Sequence, residues 1–142
     1  MLQRPVTVVH EVDLRLVAPG DEGLRLTATL RYQPVDPYAV EATFRAGDEA
    51  ISWVLGRDLL GEGLTRVSGE GDVRVWPTTD IGERGEQTAV VMLQLSSPDG
   101  RALLAAPARD VQAFLEQTYM VVEPGSEAEH LDVDGVVERL LA

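Results

Sequence analysis

The sequence contains no cysteine, which excludes disulfides, thiolate metal sites and thiol catalysis. It also contains no lysine and no asparagine, isoleucine occurs only at Ile51 and Ile81, and all 12 basic residues are arginine. The scarce residues have AT-rich codons, which points to a high-GC genome; a hyperthermophilic chain would be enriched in lysine instead. Aromatic residues make up only 5%, too few for a platform on which bases could stack. No apolar run approaches the roughly 20 residues that span a bilayer. The start, Met1–Pro5, leads into an alternating pattern without a signal-like apolar core. These absences predict a soluble, cytoplasmic protein without a membrane span.

The 142 residues, 44% hydrophobic and 25% charged, suit one domain over residues 1–142 built on one core. Acidic residues outnumber basic ones 24 to 12, for a net charge of −12. That sign disfavours nucleic acid, whose binding needs a basic face to release counterions from phosphate. Arg15, Arg25 and Arg31 form a local basic stripe on outward strand faces. Cross-strand pairing with Glu11, Asp13 or Glu41 is its simpler role.

Alternation dominates the first half. Val6, Val8, His10, Val12, Leu14 and Leu16 share one face of a strand, with Thr7, Glu11, Asp13 and Arg15 on the other. Leu24 to Tyr32, Tyr38 to Phe44 and Ile51 to Leu55 repeat the pattern between turn-forming segments. A short helix is predicted over Arg57–Leu64, closing near Gly61 or Gly63. Four more strands follow: Thr65–Ser68, Val73–Trp76, Thr88–Leu95 and Arg101–Ala105. Pro107 suits the first position of a helix over 107–120, where Val111, Phe114, Leu115 and Thr118 share a face. A last helix is expected from Asp132, with Val133, Val136, Val137, Leu140 and Leu141 on one side. The acidic stretch from Glu123 onward reads as a solvated end. The predicted class is α+β, with two antiparallel four-stranded sheets (ββββα repeated), a short middle helix, a long helix and a C-terminal helix.

Catalytic groupings are missing from the pattern. His10 sits on an apolar strand face and reads as a satisfied core or interface imidazole. His130 could join Asp132 or Asp134 at a metal, but two isolated histidines do not make a zinc set. Asp132-Val133-Asp134-Gly135 lacks the remaining spacings of a calcium loop. Neither Gly61-Glu62-Gly63 nor Gly69-Glu70-Gly71 extends to a phosphate fingerprint. No serine lies in a nucleophile elbow, and no carboxylate pair is singled out. The expectation is no enzyme activity, no cofactor and no metal.

Four stretches carry a resemblance: Asp36-Pro37-Tyr38-Ala39-Val40; the run from Trp53 to Leu64; Gly71-Asp72-Val73-Arg74-Val75-Trp76-Pro77; and the run from Leu95 to Leu104. In this order and at these distances they resemble the SsgA-like sporulation and cell-division proteins of actinomycetes. The likeness runs from about Val12 to the end and is weaker in the loop Gly82–Glu86. It implies a non-enzymatic regulator of sporulation-specific cell division, acting at the septum by binding FtsZ and an SsgA-type partner. It also implies a whirly-like fold, in which two four-stranded sheets assemble into an oligomer. Whirly proteins bind single-stranded nucleic acid, which is the alternative function. Arg57, Asp58, Leu59, Leu60 and Trp76 are the candidate protein-binding residues. Arg57-Asp58 is the pair least explained by packing, an ion pair or cap being its other role. A β-rich domain must hide its sheet edges, and Ala89–Leu95, apolar on both faces, suggests burial between subunits. A small ring, a trimer, is the expected assembly.

Overall fold

The computed structural model describes residues 6–18 and 21–131. The alternating segments become strands β1 (Val8–Ala18), β2 (Asp21–Tyr32), β3 (Ala39–Ala46) and β4 (Glu49–Gly56). Helix α1 (Arg57–Gly63) follows, then β5 (Val73–Ile81), β6 (Gln87–Ser97), β7 (Gly100–Pro107), helix α2 (Ala108–Val121) and a 3-10 turn at Glu127–His130. No described helix is long and apolar enough to cross a membrane. The C-terminal helix expected from Asp132 lies outside the described residues.

The fold is α+β, but the expected pair of four-stranded sheets is corrected to one antiparallel seven-stranded sheet, in the order β4-β3-β2-β1-β7-β6-β5. Two differences produce this. First, Thr65–Ser68 is not a strand. The N–H groups of Leu64, Thr65 and Arg66 turn back to the carbonyls of Gly61 and Glu62. Only Ser68 reaches the sheet, as an isolated bridge to Val75. Second, β1 joins the two halves by pairing with β7 at Arg15↔Ala105 and Leu16↔Leu104. Strands 90 residues apart in sequence leave no local pattern that announces their pairing.

Smaller departures have local causes. Strand β5 runs through Pro77 to Ile81 instead of ending at Trp76. Val75 exchanges both backbone bonds with Ser68 on the outer side, so alternation aims Pro77's missing N–H at the free edge, where none is needed. Pro107 precedes α2 by one residue, as its N-cap.

The core lies between one sheet face and the helices. Val8, Val12 and Leu14 of β1, Ala28, Leu30 and Tyr32 of β2, and Val91, Leu93 and Leu95 of β6 are buried with Val111, Phe114 and Leu115 of α2. Within the chain Val90, on the other face of β6, is buried and Met92 half-buried. The two-sided apolarity of that strand therefore needs no second subunit. His10 is half-buried, with its ring edge on Phe114 at 5.4 Å and Nε2 bonded to Gln117 Oε1 at 3.0 Å.

Gly63 shows how tightly α1 meets the sheet. A Cβ there would overlap the Val75 side chain, which is fully buried. Gly63→Ala is expected to cost about 1–3 kcal/mol, as overpacking does. Gly56→Ala, whose Cβ would rest on Leu59 Cβ at 3.4 Å, is expected to cost less. Urea titration of the two variants checks this, and a larger loss at Gly56 would contradict it.

Candidate protein-docking site

The site is built outward from Arg57, the first residue of α1. Its backbone N–H donates to Tyr38 O at 2.8 Å, which carries the β3–β4 ladder into the helix. Its side chain turns inward and is 1% exposed. Nη1 donates to Thr118 O at 3.2 Å and to Val122 O at 2.7 Å, and Nη2 donates to Glu127 Oε1 at 2.8 Å. The guanidinium lies over the rings of Tyr32, at 5.0 Å, and Tyr119, at 5.1 Å. A cation is favoured at a helix C-terminus and over aromatic faces, so the group fastens α1 to the end of α2 and to the 3-10 turn. Its Nε is buried without a partner, a cost that the other bonds must offset.

Electrostatics follow from this placement. The hydrogen bond from Arg57 is the main reason that the Glu127 carboxyl sits below the ordinary carboxylate range; its backbone bonds add to it. Glu127 also accepts from the Gly125 N–H at 2.9 Å. Burial pushes the phenols of Tyr32 and Tyr119 up, against the opposing pull of Arg57. Both therefore stay protonated at neutral pH, and the Tyr32 hydroxyl donates to Pro37 O at 3.0 Å.

Above this buried cluster lies a shallow surface groove of about 400 Å³, lined by Asp58, Gly61, Glu62, Thr65, Arg66 and Tyr119. A Cβ on Gly61 would stand 2.7 Å from the Tyr119 hydroxyl, so glycine lets the α2 tyrosine close against α1. Glu62 organises the far wall: Oε2 accepts from Ser68 Oγ at 2.9 Å, and Oε1 lies 3.4 Å from Arg66.

The five candidate residues fall into three settings. Arg57 and Leu60 are buried and hold the fold; Asp58 is exposed and Leu59 half-buried on the same helix. Trp76 is half-buried and paired with Met92. It follows Val75, whose side chain meets α1, so it points to the opposite sheet face. The structure thus brings Arg57, Asp58, Leu59 and Leu60 together and leaves Trp76 apart.

Tyr32, Tyr119 and Glu127 were not singled out by the sequence, and Gly61 only as a possible helix end. Glu127 looked like part of a solvated acidic end, but it is buried against Arg57. The weak signal was an arginine opening a helix directly after the apolar strand that ends at Gly56.

The basic stripe is also rearranged. Arg15 pairs with Asp80 of β5 at 2.9 Å, not with a β1 or β2 neighbour, and stands opposite Arg25. Arg31 does lie opposite Glu41. Among the described residues no three histidine or acidic side chains gather as a metal site.

Comparison with known proteins agrees with the fold. Residues 26–127 match the family described as "Streptomyces sporulation and cell division protein, SsgA". The chain is similar to the sporulation-specific cell division protein SsgB of Salinispora tropica, at 53% identity over 98% of this chain and 96% of that one. It is similar to SsgB of Streptomyces coelicolor at 49% identity over 96% of each chain. Among solved structures, the SsgA-like sporulation-specific cell division protein of Thermobifida fusca has a TM-score of 0.84 at 37% identity, covering 98% of both chains. A structure from work on SsgB and longitudinal cell division during sporulation of Streptomyces coelicolor also scores 0.84, at 47% identity, covering 92% of this chain and all of that one.

Proposed function

The chain belongs to the SsgA family of sporulation and cell division proteins, and from that membership we propose that it is a non-enzymatic regulator of sporulation-specific division that helps position the septum. It acts from the cytoplasmic side by binding division proteins, FtsZ and an SsgA-type partner among them. The observation that carries this is similarity to SsgB proteins along nearly the whole chain. The α1 groove gives the reading a surface. Asp58 shares that groove with Tyr119, while Arg57 and Leu60 are buried beneath it and Leu59 packs against the core. Trp76 belongs to a second face on the other side of the sheet.

Single-stranded nucleic acid is a poor partner for this surface. The net charge is −12, and Arg15 of the basic stripe is already paired with Asp80. Displacing an internal acid and repelling phosphate both oppose binding.

Light scattering of purified FtsZ during filament assembly tests the proposal. The wild-type chain is expected to change assembly, and Asp58→Arg to weaken its apparent affinity roughly fivefold or more, about 1 kcal/mol. Asp58 is exposed, so the variant keeps its fold. Trp76→Ala, on the other face, distinguishes the two surfaces. No effect from correctly folded wild-type protein would sink direct action on FtsZ.

A further inference from the structure

We infer that the outer edge of β4 is a two-fold contact between copies of this chain, formed by antiparallel pairing of β4 with β4 about Ser52. The contact does not depend on the septation reading.

The phase of the β3–β4 ladder decides which backbone groups are free. The bond from Arg57 N–H to Tyr38 O and the continuous register make Val40↔Leu55, Ala42↔Trp53 and Phe44↔Ile51 the hydrogen-bonded pairs. Ile51, Trp53 and Leu55 therefore turn their N–H and C=O groups toward β3. Those of Ala50, Ser52 and Val54 point away. Strand β4 ends the sheet, and no described strand pairs with that side.

The sheet's two edges are treated differently. On β5 the Ser68 bridge and Pro77 guard the edge. On β4 no described residue does: the strand runs eight residues without a bulge, proline or basic side chain, and its one charge, Glu49, lies at the end. Such features are what blunt an edge against a further strand. Two large apolar residues are also exposed here, Ile51 at 59% and Val54 at 68%.

The edge is complementary to itself. With Ser52 opposite Ser52 of a second copy, Ala50 falls opposite Val54 and Val54 opposite Ala50. All three residues carry outward groups, so every free N–H and C=O at these positions finds a partner. Ile51 then lies opposite Trp53 of the second copy, and Glu49 opposite Leu55, so no like charges meet. On the core side, Ile51 and Trp53 already border an apolar groove of about 580 Å³ with Leu24 and Phe44, and the cross-strand pair extends its apolar wall. A one-residue slip would turn the outward groups away from their partners. A slip toward Gly56 would drive the second copy's β3–β4 turn toward α1, which begins at Arg57. The contact is isologous, so it yields even-numbered assemblies: a dimer, or two rings of three joined across their β4 edges.

The cysteine-free chain permits a register-specific test. Residues directly opposite in a hydrogen-bonded pair have Cα atoms about 5.5 Å apart, within the roughly 4.4–6.8 Å that a disulfide spans. Position 54 of one copy would lie about 14 Å from position 54 of the other, four residues along the strand. Under mild oxidation at micromolar concentration, Ser52→Cys is expected to run mainly as a covalent dimer on a denaturing gel. Val54→Cys should cross-link roughly tenfold less, with unchanged thermal unfolding of both reduced variants as the control for folding. A monomeric Ser52→Cys, as when the chain's own residues 1–5 or 132–142 cover the edge, overturns the contact. Equal cross-linking at both positions overturns the register.

Discussion

Replacing Arg57 by alanine is expected to lower the unfolding free energy by about 3–5 kcal/mol, the usual cost of removing one partner from a buried ion pair. Three consequences add up at this position. The carbonyls of Thr118 in α2 and of Val122 at its C-cap lose their cationic donor. The carboxylate of Glu127 is left buried without its partner. The faces of Tyr32 and Tyr119 lose the guanidinium that lies over both. Arg57→Lys should fall between wild type and alanine, because an ammonium keeps the charge but not the planar fork. Chemical denaturation of Arg57→Ala, Glu127→Gln and the double variant measures the coupling, and the double variant should lose less than the sum of the singles. A loss below about 1 kcal/mol for Arg57→Ala would mean the pair behaves as a surface ion pair.

The same pair sets a pH dependence. The folded-state pKa of Glu127 lies below its unfolded value, chiefly through the Arg57 hydrogen bond. Its contribution to stability is therefore fully present above the ordinary carboxylate pKa, roughly 4.3. It is lost as pH falls through the depressed folded value. The wild type should lose melting temperature over that acidic window, and Glu127→Gln should lose correspondingly less. Parallel melting curves for the two proteins from neutral to acidic pH would contradict the assignment.

Phe114→Ala is expected to cost about 3–5 kcal/mol, the range for truncating a buried aromatic. Phe114 is fully buried at the centre of the α2 inner face, between Val111 and Thr118. Its ring receives the edge of His10 from β1, and the next turn supplies Gln117 to the same imidazole. The cavity would therefore open where α2 is seated on the sheet, and the His10–Gln117 bond would loosen with it. Met120, on the same helix, is 85% exposed, and Met120→Ala should stay within about 0.5 kcal/mol. Thermal and urea unfolding of both variants checks the contrast. Similar losses at the two positions would show that α2 is not held through this face.

Much of the local structure was legible before any coordinates. The inward and outward sets of β1 and β2 follow from period-two alternation, because a sheet with one buried face separates odd from even positions. The spacing of Val111, Phe114, Leu115 and Thr118 predicts α2 to within one residue at each end. The turn at Pro98-Asp99 closes β6 onto β7 as expected. The candidate site was only half legible. An ion pair was one role open to Arg57-Asp58, but its partner lies 70 residues on in a stretch that read as solvated. Trp76 shares a motif with Val75 and is turned to the other face by the same alternation that buries Val75. The Asp80 partner of Arg15 comes from a strand that was expected to end at Trp76.

By itself, then, the sequence determined most of the described elements, their buried faces and the acid surplus, since periodicity and composition act over a few residues at a time. The tertiary structure alone decided that the two halves share one sheet. It also decided that Arg57 points inward to Glu127, and that no described strand pairs with the outer side of β4, while Ser68 and Pro77 guard that of β5. Each of these depends on which distant segments meet, and on the phase in which their backbone donors and acceptors are spent. Hydrogen bonds and ion pairs between remote residues leave no spacing in the chain, so they become visible only once it has folded.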